Sequence, residues 1–244
     1  MSGMSIKLVA VLTLLALPMV ATARPLRQGT PPDLTGIYRG GSNEKDVPEG
    51  FVVINPYRDQ DKLVTSKLQP WARARQEATD WDKEDTGQLC QLDGIFRNHS
   101  GGYEILQVPG KITLIAPSVE EGGVRRVYLD REHPKNLRPT WNGHSVGHWE
   151  GDTLIVDTIG FNDKSWLFSD REPHTEALHI VERIRLVANG QYLEIHTTVQ
   201  DPNALTEPYQ YSRYSKRVTT EIPENVCNED TTAWRRLRDA NQQK

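Results

Sequence analysis

Cysteine is nearly absent from this chain. Cys90 and Cys227 are the only two, which leaves room for one disulfide at most. An excess of either charge is missing too: 29 Lys and Arg stand against 33 Asp and Glu, a net charge of −4, with both signs interspersed. That balance gives no electrostatic footprint for nucleic acid, which is therefore not an expected partner. The one basic cluster, Arg235-Arg236-Leu237-Arg238, reads as a solvated helix face. Long apolar runs are lacking beyond Val20, so no later stretch has the length to span a membrane as a helix. There is no G-x-S-x-G elbow, H-E-x-x-H pair, P-loop or G-x-G-x-x-G run. The common hydrolase signatures and a nucleotide cofactor are not expected, and no cofactor is assigned. Internal repeats and low-complexity tracts are also missing. Hydrophobic content of 36% with 25% charged residues describes an ordinary folded protein rather than a disordered one.

What is present begins with an export signal. Lys7 supplies a positive n-region, Leu8–Val20 the apolar segment, and Ala21-Thr22-Ala23 an A-x-A cleavage site. Pro18 interrupts the run, which falls short of the ~20 apolar residues of a membrane anchor. Cleavage near Ala23 is expected, with the mature protein periplasmic or secreted. The chain then divides into a signal peptide over 1–23, a polar linker over 24–32 and one domain over 33–244. In an oxidising compartment Cys90 and Cys227 read as a disulfide between mid-chain and tail, worth about 4–5 kcal/mol by loop-closure entropy. The competing reading, a single nucleophilic cysteine, needs its partner to stay unpaired.

The body of the chain is patterned as strands. Asp33–Tyr38 reads as the first, with a Gly-x-aromatic start similar to lipocalin-type barrels, and Phe51–Ile54 as a short second. Trp71–Trp81 is the one helix candidate, entered through Pro70, with Trp71, Ala74 and Ala78 as its packing stripe. Tyr103–Val108 and Lys111–Ala116 flank Pro109-Gly110, and Val124–Leu129 follows. His144–Glu150 turns at Gly151-Asp152, suited to a type II′ turn, and returns as Thr153–Thr158. Leu178–Val187 and Gln191–Val199 flank Asn189-Gly190, the strongest short hairpin signal. That loop pairs Leu186 with Leu193, Ile184 with Ile195 and Ile180 with Val199 on one face. Arg185 then meets Glu194, and Arg183 meets His196, on the other. Tyr209–Val218 is the last strand. Many short strands with one helix predict an all-β fold, an antiparallel meander closed into a lipocalin-like barrel with one packed helix, which leaves no open edge.

The same register places Glu182 on the apolar face, opposite Thr197. A carboxylate there must be paired, hydrogen-bonded or protonated. It is either a structural ion pair, with Arg126 as the candidate partner, or a general acid–base group. His144, His148 and Glu150 share one side of their strand. They offer part of a Zn²⁺ or Fe²⁺ ligand set, but nothing completes a known spacing and no metal is assigned. Asp157 pairs near Val146 as another candidate inward group, and His133, His174 and His179 fall near barrel rims. The catalytic candidates are Glu182, His144 and Asp157. Arg126, Tyr128, Tyr103, Trp149 and Tyr211 are the candidate lining of a site for a flat phenolic compound.

The run GHSVGHWEGDTLIVDTIGFND, followed by PHTEALHIVERIR and preceded by RRVYLDREHP and PPDLTGIY, resembles a large family of exported bacterial β-barrel proteins, common in sphingomonads and acidobacteria. This chain differs from the family pattern in having His148 where Arg is usual and Tyr38 where Trp is usual. The first difference weakens His148 as a metal ligand. The resemblance implies cofactor-free breakdown of aromatic dimers, including lignin-derived ones.

A barrel of about eight strands can enclose one small ligand. The expected function is a cofactor-independent lyase or isomerase on an aromatic small molecule, a formaldehyde-releasing lyase being one version. His144 or Glu182 would move the proton, and Arg126 and Tyr128 would hold a developing phenolate or carboxylate. A periplasmic binding protein for a hydrophobic ligand and an envelope-associated interaction protein are the alternatives.

Overall fold

The computed structural model describes residues 30–40, 63–87, 89–97, 102–116, 123–168 and 170–222. The expected signal peptide, most of the expected linker, the strand expected at Phe51–Ile54, Cys227 and the C-terminal tail lie outside the described residues. No cysteine among the described residues is free, and no helix among them is long and apolar enough to cross a membrane.

Nine strands follow one another: β1 (Gly36–Arg39), β2 (Tyr103–Val108), β3 (Lys111–Ile115), β4 (Val124–Leu129), β5 (His144–Glu150), β6 (Thr153–Ile159), β7 (His179–Val187), β8 (Tyr192–Gln200) and β9 (Tyr209–Val218). They close into a barrel in that order, β9 pairing back onto β1. The all-β barrel expected from the strand pattern is the fold. One joint departs from a meander: β4 and β5 run parallel, through Val127↔Ser145, Tyr128↔Val146 and Leu129↔Gly147. The reason is parity. Nine strands cannot alternate direction all the way round a closed ring, so one neighbouring pair must point the same way. The chain makes that joint with the segment 130–143, which crosses from the end of β4 to the start of β5.

The β7–β8 hairpin has the register its turn chemistry dictates. Leu186↔Leu193, Ile184↔Ile195, Glu182↔Thr197 and Ile180↔Val199 pair on the inner face, and Arg185↔Glu194 and Arg183↔His196 on the outer. Ala188, Asn189 and Gly190 all have positive φ (49°, 56° and 80°), the left-handed conformations that an Asn-Gly turn is chosen for.

Inside, alternation builds two apolar clusters with a polar belt between them. Along β7 the inward positions read Ile180, Glu182, Ile184, and along β8 Val199, Thr197, Ile195. Ile180 and Val199 belong to a cluster with Leu68, Ala72, Phe161, Phe168, Tyr209 and Tyr211. Ile184 and Ile195 belong to another with Tyr38, Tyr103, Ile105, Val127, Leu154 and Val156. Between them sit Arg125, Ser145, Thr158, Glu182 and Thr197, all buried.

The helix is shorter than expected and turned differently. α1 spans Pro70–Ala78, with Pro70 in the first turn, where its missing N–H costs nothing. It ends because Thr79 is extended (φ −70°, ψ 124°) and the Asp80 carboxylate accepts from the Asp82 backbone N–H, capping a separate turn, α2 (Trp81–Glu84). The face against the barrel is Ala72 and Gln76, not the stripe of Trp71, Ala74 and Ala78. Trp71 lies at the surface, its indole N–H donating to the Asn203 carbonyl at 2.7 Å, and Gln76 donates to the Asp170 carbonyl at 2.7 Å.

Candidate functional site

Three neighbouring strands each place one polar side chain on the outer wall of the barrel. His144 opens β5, Asp157 lies in β6 and His179 opens β7. Their chain neighbours Ser145, Val156, Thr158 and Ile180 are buried, so the three point the other way. Asp157 is directly opposite Val146 on one side and Val181 on the other. His144 and His179 are each two residues from those partners, at the diagonal positions long side chains can bridge. His133 comes from the 130–143 crossing and completes the group.

The contacts form a chain. His179 Nε2 is 2.7 Å from Asp157 Oδ2, His133 Nε2 is 2.9 Å from Asp157 Oδ1, and His133 Nδ1 is 2.9 Å from His144 Nδ1. Asp157 accepts, so His133 donates to it through Nε2–H. With His133 as the neutral ring its lone pair is on Nδ1; His144 then donates through Nδ1–H and carries its own lone pair on Nε2. Burial holds His144 below the ordinary imidazole pKa, with the neighbouring His133 contributing second. His144 is therefore neutral near pH 7. The Tyr128 ring stacks on it, with centroids 5.3 Å apart.

The local backbone fixes this arrangement. Gly143, just before His144, has φ 62°, and a Cβ there would meet the Ile159 carbonyl oxygen at 2.7 Å. Thr140 holds the end of the crossing: its N–H donates to the Gly160 carbonyl at 3.0 Å, and its own carbonyl accepts from the Asn162 N–H at 2.8 Å.

His144 borders a cleft of about 270 Å³, lined also by Arg126, Tyr128, Trp141 and Asn142. It lies where β4 runs ahead of β5. Pairing between them begins at Val127↔Ser145, so Val124, Arg125 and Arg126 face the 140–143 segment without a ladder between them. A second cleft of about 340 Å³, lined by Glu132, His148, Ile155 and Asp157, lies on the other side of the crossing.

No family model, curated protein or solved structure matches the chain. What the site can do is thus read from its own groups. A carboxylate, a bridging imidazole and a terminal imidazole with a free Nε2 lone pair make a general base whose protonated form is stabilised through two hydrogen bonds.

The residues singled out from the sequence fall in three places. His144, Arg126 and Tyr128 line the outer cleft, and Asp157 anchors the histidine chain behind it. Glu182 is in the interior. Its carboxylate pairs with Arg125, whose Nε donates to Ser145 Oγ at 3.1 Å and whose Nη2 donates to Thr158 Oγ1 at 2.9 Å. The ion pair expected with Arg126 is made instead by its neighbour, because the inward residues of β4 are Arg125 and Val127. The geometry assigns Glu182 to the polar belt. Tyr103 and Tyr211 are core residues, Tyr103 donating to Ser215 Oγ at 3.3 Å and Tyr211 meeting Phe168 edge-on. Trp149 packs on the core from β5.

His148 and Glu150 lie at the far end of β5, exposed and 3.5 Å apart, with Arg183 donating to Glu150. Among the described residues, no group of three or more His, Cys, Asp and Glu side chains is arranged to hold a metal ion. His133 and His179, which the sequence left as rim histidines, belong to the site, as do Trp141 and Asn142. The only sequence signal for His133 was its place before Pro134 in the connection that enters β5.

Proposed function

We propose that this protein is a proton-transfer catalyst, a cofactor-independent lyase or isomerase acting on an aromatic small molecule whose reacting ring occupies the outer cleft. The observation that carries the reading is the Asp157–His133–His144 chain, whose last ring lines the cleft with Arg126 and Tyr128. His144 Nε2 takes a proton from the substrate. The resulting imidazolium is stabilised by the His133 lone pair, and His133 in turn by the Asp157 carboxylate. Arg126 and the Tyr128 hydroxyl stand where negative charge would develop on the substrate. An engineered cavity of ~150 Å³ is enough for benzene, so the volume of the cleft suits one substituted ring, with the remainder of a dimeric substrate outside. In the formaldehyde-releasing version, loss of a benzylic leaving group from a phenolate gives a quinone methide. His144 then removes the proton of the side-chain alcohol, the adjacent C–C bond breaks, its electron pair restores the phenolate and formaldehyde leaves.

The inner wall carries two buried apolar clusters and a polar belt among the described residues, and this reading places the substrate in the outer cleft. The reading does include export, cleavage near Ala23 and pairing of Cys90 with Cys227.

The test is incubation of the mature protein with a panel of phenolic dimers, with and without EDTA, followed by mass spectrometry. A new product mass that survives EDTA is expected, and His144→Gln should lower its rate by about 10²–10⁴-fold, the usual worth of a general base. Turnover unchanged in His144→Gln would overturn the assignment, and loss of product with EDTA would transfer the chemistry to a metal. The intact mass of the same preparation, unreduced, should lack two hydrogens relative to the reduced chain.

A further inference from the structure

Among the described residues, the cleft beside His144 is lined by two arginines and by no aspartate or glutamate. The two are not equivalent. Arg125 turns inward, committed to Glu182, Ser145 and Thr158. Arg126 is exposed on the outer wall, paired across the ladder with Thr113, and has no ion-pair or hydrogen-bond partner among the described residues. Two other arginines on the outer wall are neutralised, Arg183 by Glu150 and Arg185 by Glu194. The positive field at the cleft is reinforced. Lys111 stands directly across from Tyr128 on β3, and the Arg131 guanidinium lies 5.9 Å from the Tyr128 ring centroid.

We infer that the cleft recognises an aromatic carboxylate, its ring against Trp141 beside the stacked His144 and Tyr128 and its carboxylate on the Arg126 guanidinium. A phenol of ordinary pKa, ~10, is neutral near pH 7, whereas a carboxylic acid of pKa ~4 is fully ionised. A guanidinium with no acid beside it among the described residues of the cleft therefore favours a ligand that arrives already charged. Arginine also matches the shape: its planar fork donates two parallel hydrogen bonds to the two oxygens of one carboxylate. Placed there, the ligand brings its ring and side chain next to His144 Nε2. This deepens the proton-transfer reading and rests on it only for the use to which the bound acid is put.

The probes are benzoate and benzamide, which share a ring and nearly a shape and differ in charge. Binding is followed on the mature protein by titration calorimetry and by tryptophan fluorescence, since Trp141 lines the cleft. Benzoate should bind about 10–100-fold more tightly than benzamide, the worth of a hydrogen-bonded charge. Arg126→Gln should bring benzoate down to the benzamide level while leaving benzamide unchanged, and Arg126→Lys should restore only part of the difference. A thermal melt of each variant checks that the fold is intact, as expected for a surface position.

Equal affinity for the two probes, failure of both to bind, or benzoate binding insensitive to Arg126→Gln would each overturn the proposal. The two readings fail separately. Charge-selective binding lost in Arg126→Gln, with turnover intact in His144→Gln, would keep the anion site and remove the base. Charge-blind binding, with turnover lost in His144→Gln, would do the reverse.

Discussion

The hydrogen-bond partners of His144 come from other segments, which is why its pattern in the sequence was a poor guide to its surroundings. The grouping with His148 and Glu150 followed from strand periodicity and is correct as geometry, since all three face outward. The partners that matter, His133 and Asp157, come from the crossing and from β6. Asp157 was recognised through its pairing with Val146, but as an inward group. Strand alternation gives two faces and does not say which one is wet. The same ambiguity put Arg126 in the interior in place of Arg125. One consequence for pH is testable. Burial lowers the pKa of His144, so kcat/KM should fall on the acid side through an apparent pKa below the ordinary ~6.5 of histidine. Fully buried His174, 2.8 Å from Ser165 Oγ through Nε2, has its pKa lowered by desolvation as well. The unfolded chain binds a proton there below about pH 6.5 and the folded chain does not, so stability should be full above that pH. It should decline by about 1.4 kcal/mol per pH unit below it, until the folded pKa is reached. Urea midpoints at a series of pH values measure this, and a flat profile between pH 5 and pH 6.5 would contradict it.

Hairpins whose turn residues and alternation agree are legible from sequence alone, and β7–β8 is the clear case: Asn189-Gly190 sets the turn and the apolar alternation sets the face. β5 and β6 were legible as elements too, with Gly151 supplying the positive φ of 65° that their turn needs. The helix was legible at its start and not at its end. The expected span ran on to Trp81 across Thr79 and Asp80, both weak helix formers, and what stops it is a cap: Asp80 accepts from Asp82 and begins another turn. The inward face was misread because Trp71, the largest apolar side chain of α1, finds a partner for its N–H at the surface. At this scale the entry to β5 is the sensitive point. Replacing Gly143 with alanine puts a side chain at φ 62° and against the Ile159 carbonyl, a strain of about 1–3 kcal/mol. The substitution should lower the urea midpoint accordingly. It should also reduce turnover more than stability explains, because the next residue is His144.

As a whole the molecule is a ring of nine strands, and the count carries more than the strand list does. The closed barrel could be read from many short strands with few breaks. The parallel joint could not, since the 130–143 connection has no helix to announce a crossover, though its length is within what a parallel return requires, about a dozen residues or more. Across that joint Arg125 reaches from β4 to Ser145 on β5, Thr158 on β6 and Glu182 on β7, fastening the ring from inside. Removing the carboxylate in Glu182→Ala leaves a buried guanidinium uncompensated, for which a loss of about 3–5 kcal/mol is expected. Denaturant titration would show it, with turnover per folded molecule preserved; a variant as stable as the parent would mean that Arg125 is satisfied without Glu182. The joints themselves are uneven. β4/β5, β1/β2 and β1/β9 rest on three residue pairs each, whereas β7/β8 has nine. Local openings follow the fewest contacts, so the ring breathes first at β1 and along the parallel joint, while β7 and β8 stay shut. The Asp130 amide, which donates to the Gly147 carbonyl across that joint, should exchange with heavy water well ahead of the amides in β7 and β8. The cleft then borders one of the hinges of the wall, and His144, two residues from Val146 in that joint, sits where the barrel yields most readily.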